Sequence, residues 1–253
     1  MRSVTGLSTT LGALALALAA PSVHAGGFTT TRFGGEGGHA GTSDVTAIFY
    51  NPAGIAYGQG TRGYVEGLFA YRTVDYTRDP GAIDNRGTGT PEDGVAANSG
   101  KATLANPVVS PFLGVATDVG KPGLGIGFAL SVPFGGQASW DPAADDPKYP
   151  GAHDSSARWA SIEGEQRSLY FTLAGAWRTR DGKFGIGAGV NIVQSQIDIV
   201  RARNFDNSDD LVQPDGVTTK EGRALLDVKG LDVAASIGVM FKPTECSRIG
   251  ISY

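Results

Sequence analysis

Three stretches of this chain alternate apolar residues with very small ones, and that pattern leaves few folds open. Between Ser168 and Arg178 the odd positions are Leu169, Phe171, Leu173, Gly175 and Trp177, and the even ones are Tyr170, Thr172, Ala174 and Ala176. Phe184, Ile186, Ala188, Val190 and Ile192 alternate with Gly185, Gly187, Gly189 and Asn191. Val233, Ala235, Ile237, Val239 and Phe241 alternate with Asp232, Ala234, Ser236 and Gly238. A period of two is the strand signal, and the second face discriminates between strand folds. A soluble sandwich turns its apolar face inward and covers the other with Lys, Glu and Thr. Here the other face is mostly Gly, Ala and Ser. In a transmembrane barrel the apolar face meets lipid and the small or polar face lines the lumen. Strands of about 9–11 residues match a tilted crossing of the hydrocarbon layer. Tyr71, Trp177 and Phe241 stand at segment ends, where an interfacial girdle of aromatics lies.

The same alternation recurs more weakly at Gly63–Arg72, Val108–Val119 and Leu124–Val132, and Ile249, Ile251 and Tyr253 begin a seventh strand. Short links at Gly120–Gly123, Thr179–Gly182 and Lys242–Ser247 take turns with long ones at Thr73–Asn106, Pro133–Gln166 and Arg201–Glu221. Asp181-Gly182 favours a hairpin turn. Barrels of this class have short periplasmic turns and long outer loops, so the long links are expected to be extracellular.

The first residues set the compartment. Arg2, the apolar run Leu11–Ala20, Pro21 and the small residues of Val23-His24-Ala25 predict a signal peptide over 1–25, cleaved after Ala25. Past it, no apolar run approaches the roughly 18 residues that a spanning helix needs, which excludes helical spans. Gly supplies 38 of 253 residues, about twice the usual share. The net charge of −4, with both signs interspersed, gives no sign of a nucleic-acid partner. Cys246 is alone and makes no internal disulfide. The Gly-x-Gly repeats at Gly123–Gly127 and Gly185–Gly189 precede no helix pattern, so they are not dinucleotide fingerprints. His39 and His153 lack metal-ligand spacing. Glu163, Glu165, Glu66 and Asp118 read as solvated or lumen-lining carboxylates. No cofactor, metal or enzymatic activity is expected.

Several segments together carry a family resemblance. They are Gly34–Ala56 (GGEGGHAGTSDVTAIFYNPAGIA), the Gly-Leu-Gly-Ile-Gly…Val-Pro-Phe-Gly…Trp run of Gly123–Trp140, the hairpin Ser168–Ile197 and the closing Arg248–Tyr253. In this order they resemble the FadL/TodX family of outer-membrane transporters for long-chain fatty acids and other hydrophobic compounds. The resemblance implies an all-β fold, a transmembrane antiparallel barrel of fourteen strands with about seven present here. It implies a hatch plug over 26–60 and barrel wall over 61–253, incomplete at its C-terminus. It also implies passive transport: hydrophobic substrate captured in a groove between extracellular loops, passed to a lumen site beside the hatch, and released sideways where one strand kinks inward. The implied partners are the hydrophobic small molecule, outer-membrane lipid and the barrel-assembly machinery during insertion. By position, Pro133–Gln166 matches the groove-forming loop, whose apolar members Phe134, Trp140, Tyr149, Trp159 and Ile162 are expected either to contact ligand or to pack the loop on the rim.

The hatch has a physical logic of its own. Gly34, Gly35, Gly37, Gly38 and Gly41 permit positive φ and close backbone approach. Pro52 fixes φ, removes a donor and biases Asn51 away from helix. Asn51, Pro52 and Ala53 therefore read as a hinge or stop, or as an ordinary turn into the first strand, and Asp44 as a partner for lumen Arg or Lys. An open seven-stranded sheet leaves unpaired backbone groups in hydrocarbon, at several kcal/mol each. That favours a truncated frame over a small closed barrel of eight strands filled by side chains. The functional alternatives are a non-transporting surface barrel or adhesin, and an inactive fragment.

Overall fold

The structure, a computed structural model, describes residues 32–79, 95–213, 215 and 217–253. The expected signal peptide and the first residues of the expected hatch lie outside this set. Seven antiparallel strands form one sheet in sequence order: β1 Thr61–Arg78, β2 Gly100–Thr117, β3 Leu124–Ser139, β4 Glu163–Arg178, β5 Phe184–Arg203, β6 Gly222–Thr244 and β7 Ser247–Ser252. Every neighbour is the next strand in sequence, the up-and-down order of a barrel wall. Among the described residues β1 pairs only with β2 and β7 only with β6, so the sheet is open and the closed eight-stranded alternative is not what forms.

All seven strands lie where alternation places them, but at the long-link ends they run further than expected. The long links shrink to 79–99, 140–162 and 204–221, because Thr73–Arg78, Gly100–Asn106, Pro133–Ser139, Glu163–Gln166 and Arg201–Arg203 are strand. The Lys242–Ser247 link shrinks to Glu245 and Cys246. The reason is geometric. The 18 residues of β1, at about 3.3 Å each, span about 60 Å. Tilted by about 45°, they rise about 42 Å, beyond a hydrocarbon layer of about 30 Å. Pairing continues into water, where polar residues break the apolar alternation but not the ladder.

The two faces differ as the alternation requires. Val65, Phe69, Val109, Leu173, Trp177, Ile186, Val190, Val233 and Ile237 are exposed on one side. On the other side residues 33–57 pack against the wall. Phe33, Val45, Ala47, Ile48 and Ile55 from this segment form one buried cluster with Phe112, Ala116, Ala129 and Ala174 from β2, β3 and β4. The small inner face is a bed for this peptide. A Cβ on Gly187 would sit 2.4 Å from the Ala53 nitrogen, one on Gly125 would sit 2.8 Å from the Ile55 carbonyl carbon, and one on Gly250 would sit 2.0 Å from the Ala40 oxygen. On the outward face, Gly63, Gly67 and Gly175 have nothing within 4 Å of such an atom. Gly34 and Gly35 adopt φ of 76° and 55°, a left-handed turn that L side chains rarely adopt.

Candidate functional site

Asn51 anchors the packed segment. It is fully buried in extended backbone (φ −162°, ψ 99°), as the following proline requires. Its Nδ2 donates to the Ala40 carbonyl at 2.8 Å and to the Val239 carbonyl of β6 at 3.0 Å, while Oδ1 accepts from the Ala53 N–H at 3.1 Å. Pro52 opens a 3-10 turn, Pro52–Tyr57, at a position where its missing donor costs nothing. Asn51 is thus the cap of that turn and its tie to the wall, not a simple turn into β1, which starts only at Thr61.

The expected role of Asp44 is corrected. Its carboxylate accepts from the Thr46 N–H at 2.7 Å and the Thr46 hydroxyl at 2.5 Å, and it forms no ion pair among the described residues. A short side chain bonds the backbone two residues on more readily than it reaches the wall. The wall arginines find segment carbonyls instead. Arg62 donates to Ser43 O at 2.8 Å and Ile55 O at 3.3 Å, and Arg178 Nε donates to Ala56 O at 2.9 Å. Glu66 does face inward, accepting from the Gly34 N–H at 2.6 Å. Asp118 instead sits in the β2–β3 turn, where the Gly60 and Gly120 N–H groups hold its carboxyl below the usual range.

Among the described residues, the ladder between β2 and β3 is interrupted. Pairing of β2 with β3 covers only Phe112–Thr117 against Ile126–Ser131. Beyond Phe112 and Ser131 the strands separate, meeting again where Ser139 N–H donates to Asn106 Oδ1 at 3.2 Å and where Leu104 bridges Trp140. The intervening seam lies between Pro107–Pro111 of β2 and Val132–Ala138 of β3. Pro107, Pro111 and Pro133 have no N–H to give a ladder. On β3 three steps from Ser131 to Phe134 oppose two steps from Tyr170 to Ser168 on β4, which is a one-residue bulge. A single extra residue inverts the alternation. Up to Ser131 the odd residues of β3 face inward; from Phe134 the even ones do. Phe134 therefore turns inside and its ring lies 6.2 Å from that of Tyr170. Two side chains span the seam: Ser110 Oγ donates to Val132 O, and Arg72 of β1 reaches behind β2 to donate to Gln137 O at 2.5 Å. A cavity of about 220 Å³, lined by Arg72, Gln137, Ser161, Glu165 and Ile199 among others, adjoins this strut.

The five aromatic and apolar residues expected in one groove are divided among three places. Phe134 is a strand residue of the inner face rather than a loop residue. Trp140 stands at the rim, edge to face with Tyr76 at 6.2 Å. Ile162 extends β4 by one step, its N–H donating to Val200 O at 2.8 Å and its carbonyl accepting from Trp140 N–H. Tyr149 and Trp159 pack with Ala97, Ala152, Leu211 and Val212 in a second core made entirely by the loops. Beneath that core Arg158 is fully buried. Its Nε donates to both Glu221 oxygens at 3.1 Å, and its Nη1 donates to the Ala97 and Ser155 carbonyls at 2.9 and 2.8 Å. Burial pushes the guanidinium below its ordinary value, and the Glu221 carboxylate opposes that shift. A sideways gap at a kinked strand was an implication of the resemblance, but the residues of the seam, the Arg72 strut and the Arg158–Glu221 pair were not anticipated. Their one sequence sign was Pro133, which ends the alternation and reads as a strand end.

Over residues 6–253 the sequence matches the family described as outer membrane protein transport protein (OMPP1/FadL/TodX). The chain belongs to that family. Among solved structures, a FadL homologue of Pseudomonas aeruginosa is similar in fold at a TM-score of 0.56 and 19% identity, over 85% of this chain and 48% of that one. The toluene transporter TbuX of Ralstonia pickettii follows at 0.54 and 16% identity, over 85% of this chain and 54% of that one. The chain thus spans about half the length of both. No curated relative matches it. The seven strands form a half-barrel, and the seam lies in its wall.

Proposed function

We propose that this chain forms the N-terminal wall and plug of a passive outer-membrane route for hydrophobic compounds, long-chain fatty acids or aromatic hydrocarbons. In this reading residues 1–25 are a cleaved signal, 26–60 the hatch and 61–253 the barrel wall. The seam between β2 and β3 carries the reading. A barrel has no reason to forgo several ladder bonds in its wall unless something passes there, since each unpaired group facing lipid costs several kcal/mol. The seam is flanked inside by Leu68, Ala70, Val108, Phe134 and Tyr170, and outside by Val109, which is 62% exposed. An apolar molecule held against Phe134 and Tyr170 above the packed segment leaves through this seam into the lipid without crossing water. Trp140 and the loop residues around it supply the capture surface. Neither nucleotide nor metal is needed, because partition of the solute drives the flow. A surface barrel whose loops bind a partner has no use for such a seam.

The test is uptake of labelled oleate or toluene by cells carrying the complete reading frame, compared with a deletion of Val132. Removing one residue abolishes the bulge, leaves Phe134 two steps from Ser131 on the inward face, and lets β3 continue in register beside β2, which narrows the seam. Initial uptake is expected to fall at least tenfold with surface assembly retained. Equal uptake with and without the protein refutes transport, and equal uptake by the deletion refutes the seam as the exit.

A further inference from the structure

A second site lies at the opposite, turn end of the sheet, below the packed segment, and it is independent of the transport reading. Three cations line it. Arg178 ends β4 on the same parity as Thr172 and Ala174. Lys242 lies in β6 on the parity of Gly238 and Met240, and Lys183 precedes Gly185 by two residues. Lys183 and Lys242 are direct neighbours, the Lys242 N–H donating to the Lys183 carbonyl at 2.7 Å. Together with Tyr57 they line a cavity of about 420 Å³.

Its polar groups are unevenly satisfied. Of the two carboxylates lining it, Asp181 is occupied locally, accepting from the Thr179 hydroxyl and from the Lys183 N–H at 3.1 Å. Glu245 is exposed in the β6–β7 turn. Neither lysine ammonium forms an ion pair among the described residues. Arg178 holds the Ala56 carbonyl through Nε, and its guanidinium stands 5.6 Å from the centre of the Tyr57 ring. That ring lies flat on the wall: a Cβ on Gly185 would be 2.8 Å from Tyr57 Cε2. The Tyr57 hydroxyl is buried with no hydrogen-bond partner. A buried hydroxyl lacking an acceptor, beside two ammonium groups of which only Lys183 feels the nearby Asp181 carboxylate, is a shortage of negative acceptor oxygens.

We infer that the cavity bounded by Tyr57, Arg178, Lys183 and Lys242 binds an oxyanion, the carboxylate of a hydrophobic acid or a phosphate monoester head. The two lysines supply charge from the wall, and Tyr57 Oη donates from the plug. The occupant thereby bridges the packed segment to β5 and β6.

The experiment is titration calorimetry on the full chain in detergent micelles, using sodium octanoate, inorganic phosphate and uncharged octanol as probes. At least one anion is expected to bind in the millimolar range. Its binding should be at least tenfold weaker with Lys183→Gln and Lys242→Gln combined, severalfold weaker with Tyr57→Phe, and kept with both lysines changed to Arg. Octanoate without phosphate identifies a hydrophobic acid as the occupant, and phosphate without octanoate identifies a phosphate head. The inference is overturned if neither anion binds, if the double Gln variant binds like the parent, or if octanol binds with the same dependence on the lysines.

Discussion

The bed of glycines under the N-terminal segment makes a sharp quantitative prediction at Gly187. Its Cβ in Gly187→Ala would lie 2.4 Å from the Ala53 nitrogen, 2.5 Å from the Pro52 carbonyl carbon and 2.8 Å from the Ala53 Cα. All three are backbone atoms, so no side-chain rotation relieves the clash. Restoring ordinary contact near 3.4 Å needs a shift of about 1 Å. The Asn51 bonds to Ala40 and Val239, at 2.8 and 3.0 Å, then stretch past hydrogen-bond range. Overpacking costs about 1–3 kcal/mol, and two lost hydrogen bonds add about 1 kcal/mol each. Docking of residues 47–57 should weaken by about 3–5 kcal/mol, and every ~1.4 kcal/mol is tenfold in an equilibrium constant. Amide exchange in a peptide covering 47–57 should therefore accelerate about a hundredfold or more, read by mass spectrometry on the purified chain. The control is Gly175→Ala, on the outward face with nothing within 4 Å, where exchange should be unchanged. Parental protection in Gly187→Ala, or the same loss in Gly175→Ala, refutes the account of the small face as a bed.

Three further outcomes follow from the geometry. Asn51→Asp replaces the two-bond donor with a buried carboxylate facing two carbonyls; the same exchange assay should show at least the effect of Gly187→Ala, and protection retained in the Asp variant would contradict the assigned bonds. Glu221→Ala leaves Arg158 charged and buried without its partner, a change of about 3–5 kcal/mol for such pairs. Trypsin should then cut after Arg158 and Lys220, whose side chain is 7% exposed in the parent, and resistance at both sites would refute the loop core. The Lys220 ammonium holds the Asp206 carboxyl down at about 2. Its ordinary value is about 3.9, so the ion pair contributes fully above about pH 4 and is lost as pH falls through about 2. Carbon-detected NMR of Asp206 should show that midpoint, and Lys220→Gln should move it up toward the ordinary value; an unmoved midpoint removes Lys220 as the cause.

Much of the wall was legible in the sequence, because a period of two is a local property. Leu173 and Gly175 declare their face without reference to anything distant, and each hairpin at a short link follows from adjacent strands. The strand ends were not legible. Thr73–Arg78 and Gly100–Asn106 are polar and lose the alternation, yet they pair because their neighbours continue. The extended backbone at Asn51 was legible, since an Asn-Pro step restricts its own backbone. Asp44 was misassigned because its local bonds to Thr46 outcompete the distant arginines. Phe134 was placed in a loop because Pro133 looks like an end, when one added residue there carries the strand on with its faces exchanged.

The sequence by itself determined the strand set, its order and which face meets lipid, since these depend on residue spacing along a fixed backbone repeat. Tertiary structure alone decided what fills the inner face, where the wall parts and which loop aromatics meet. Each of these depends on groups brought together from far along the chain: Asn51 with Val239, Arg72 with Gln137, Arg158 with Glu221. A glycine in a strand is the same letter whether it faces lipid at Gly175 or backbone at Gly187. Only the packing of the N-terminal segment against one face makes the second indispensable.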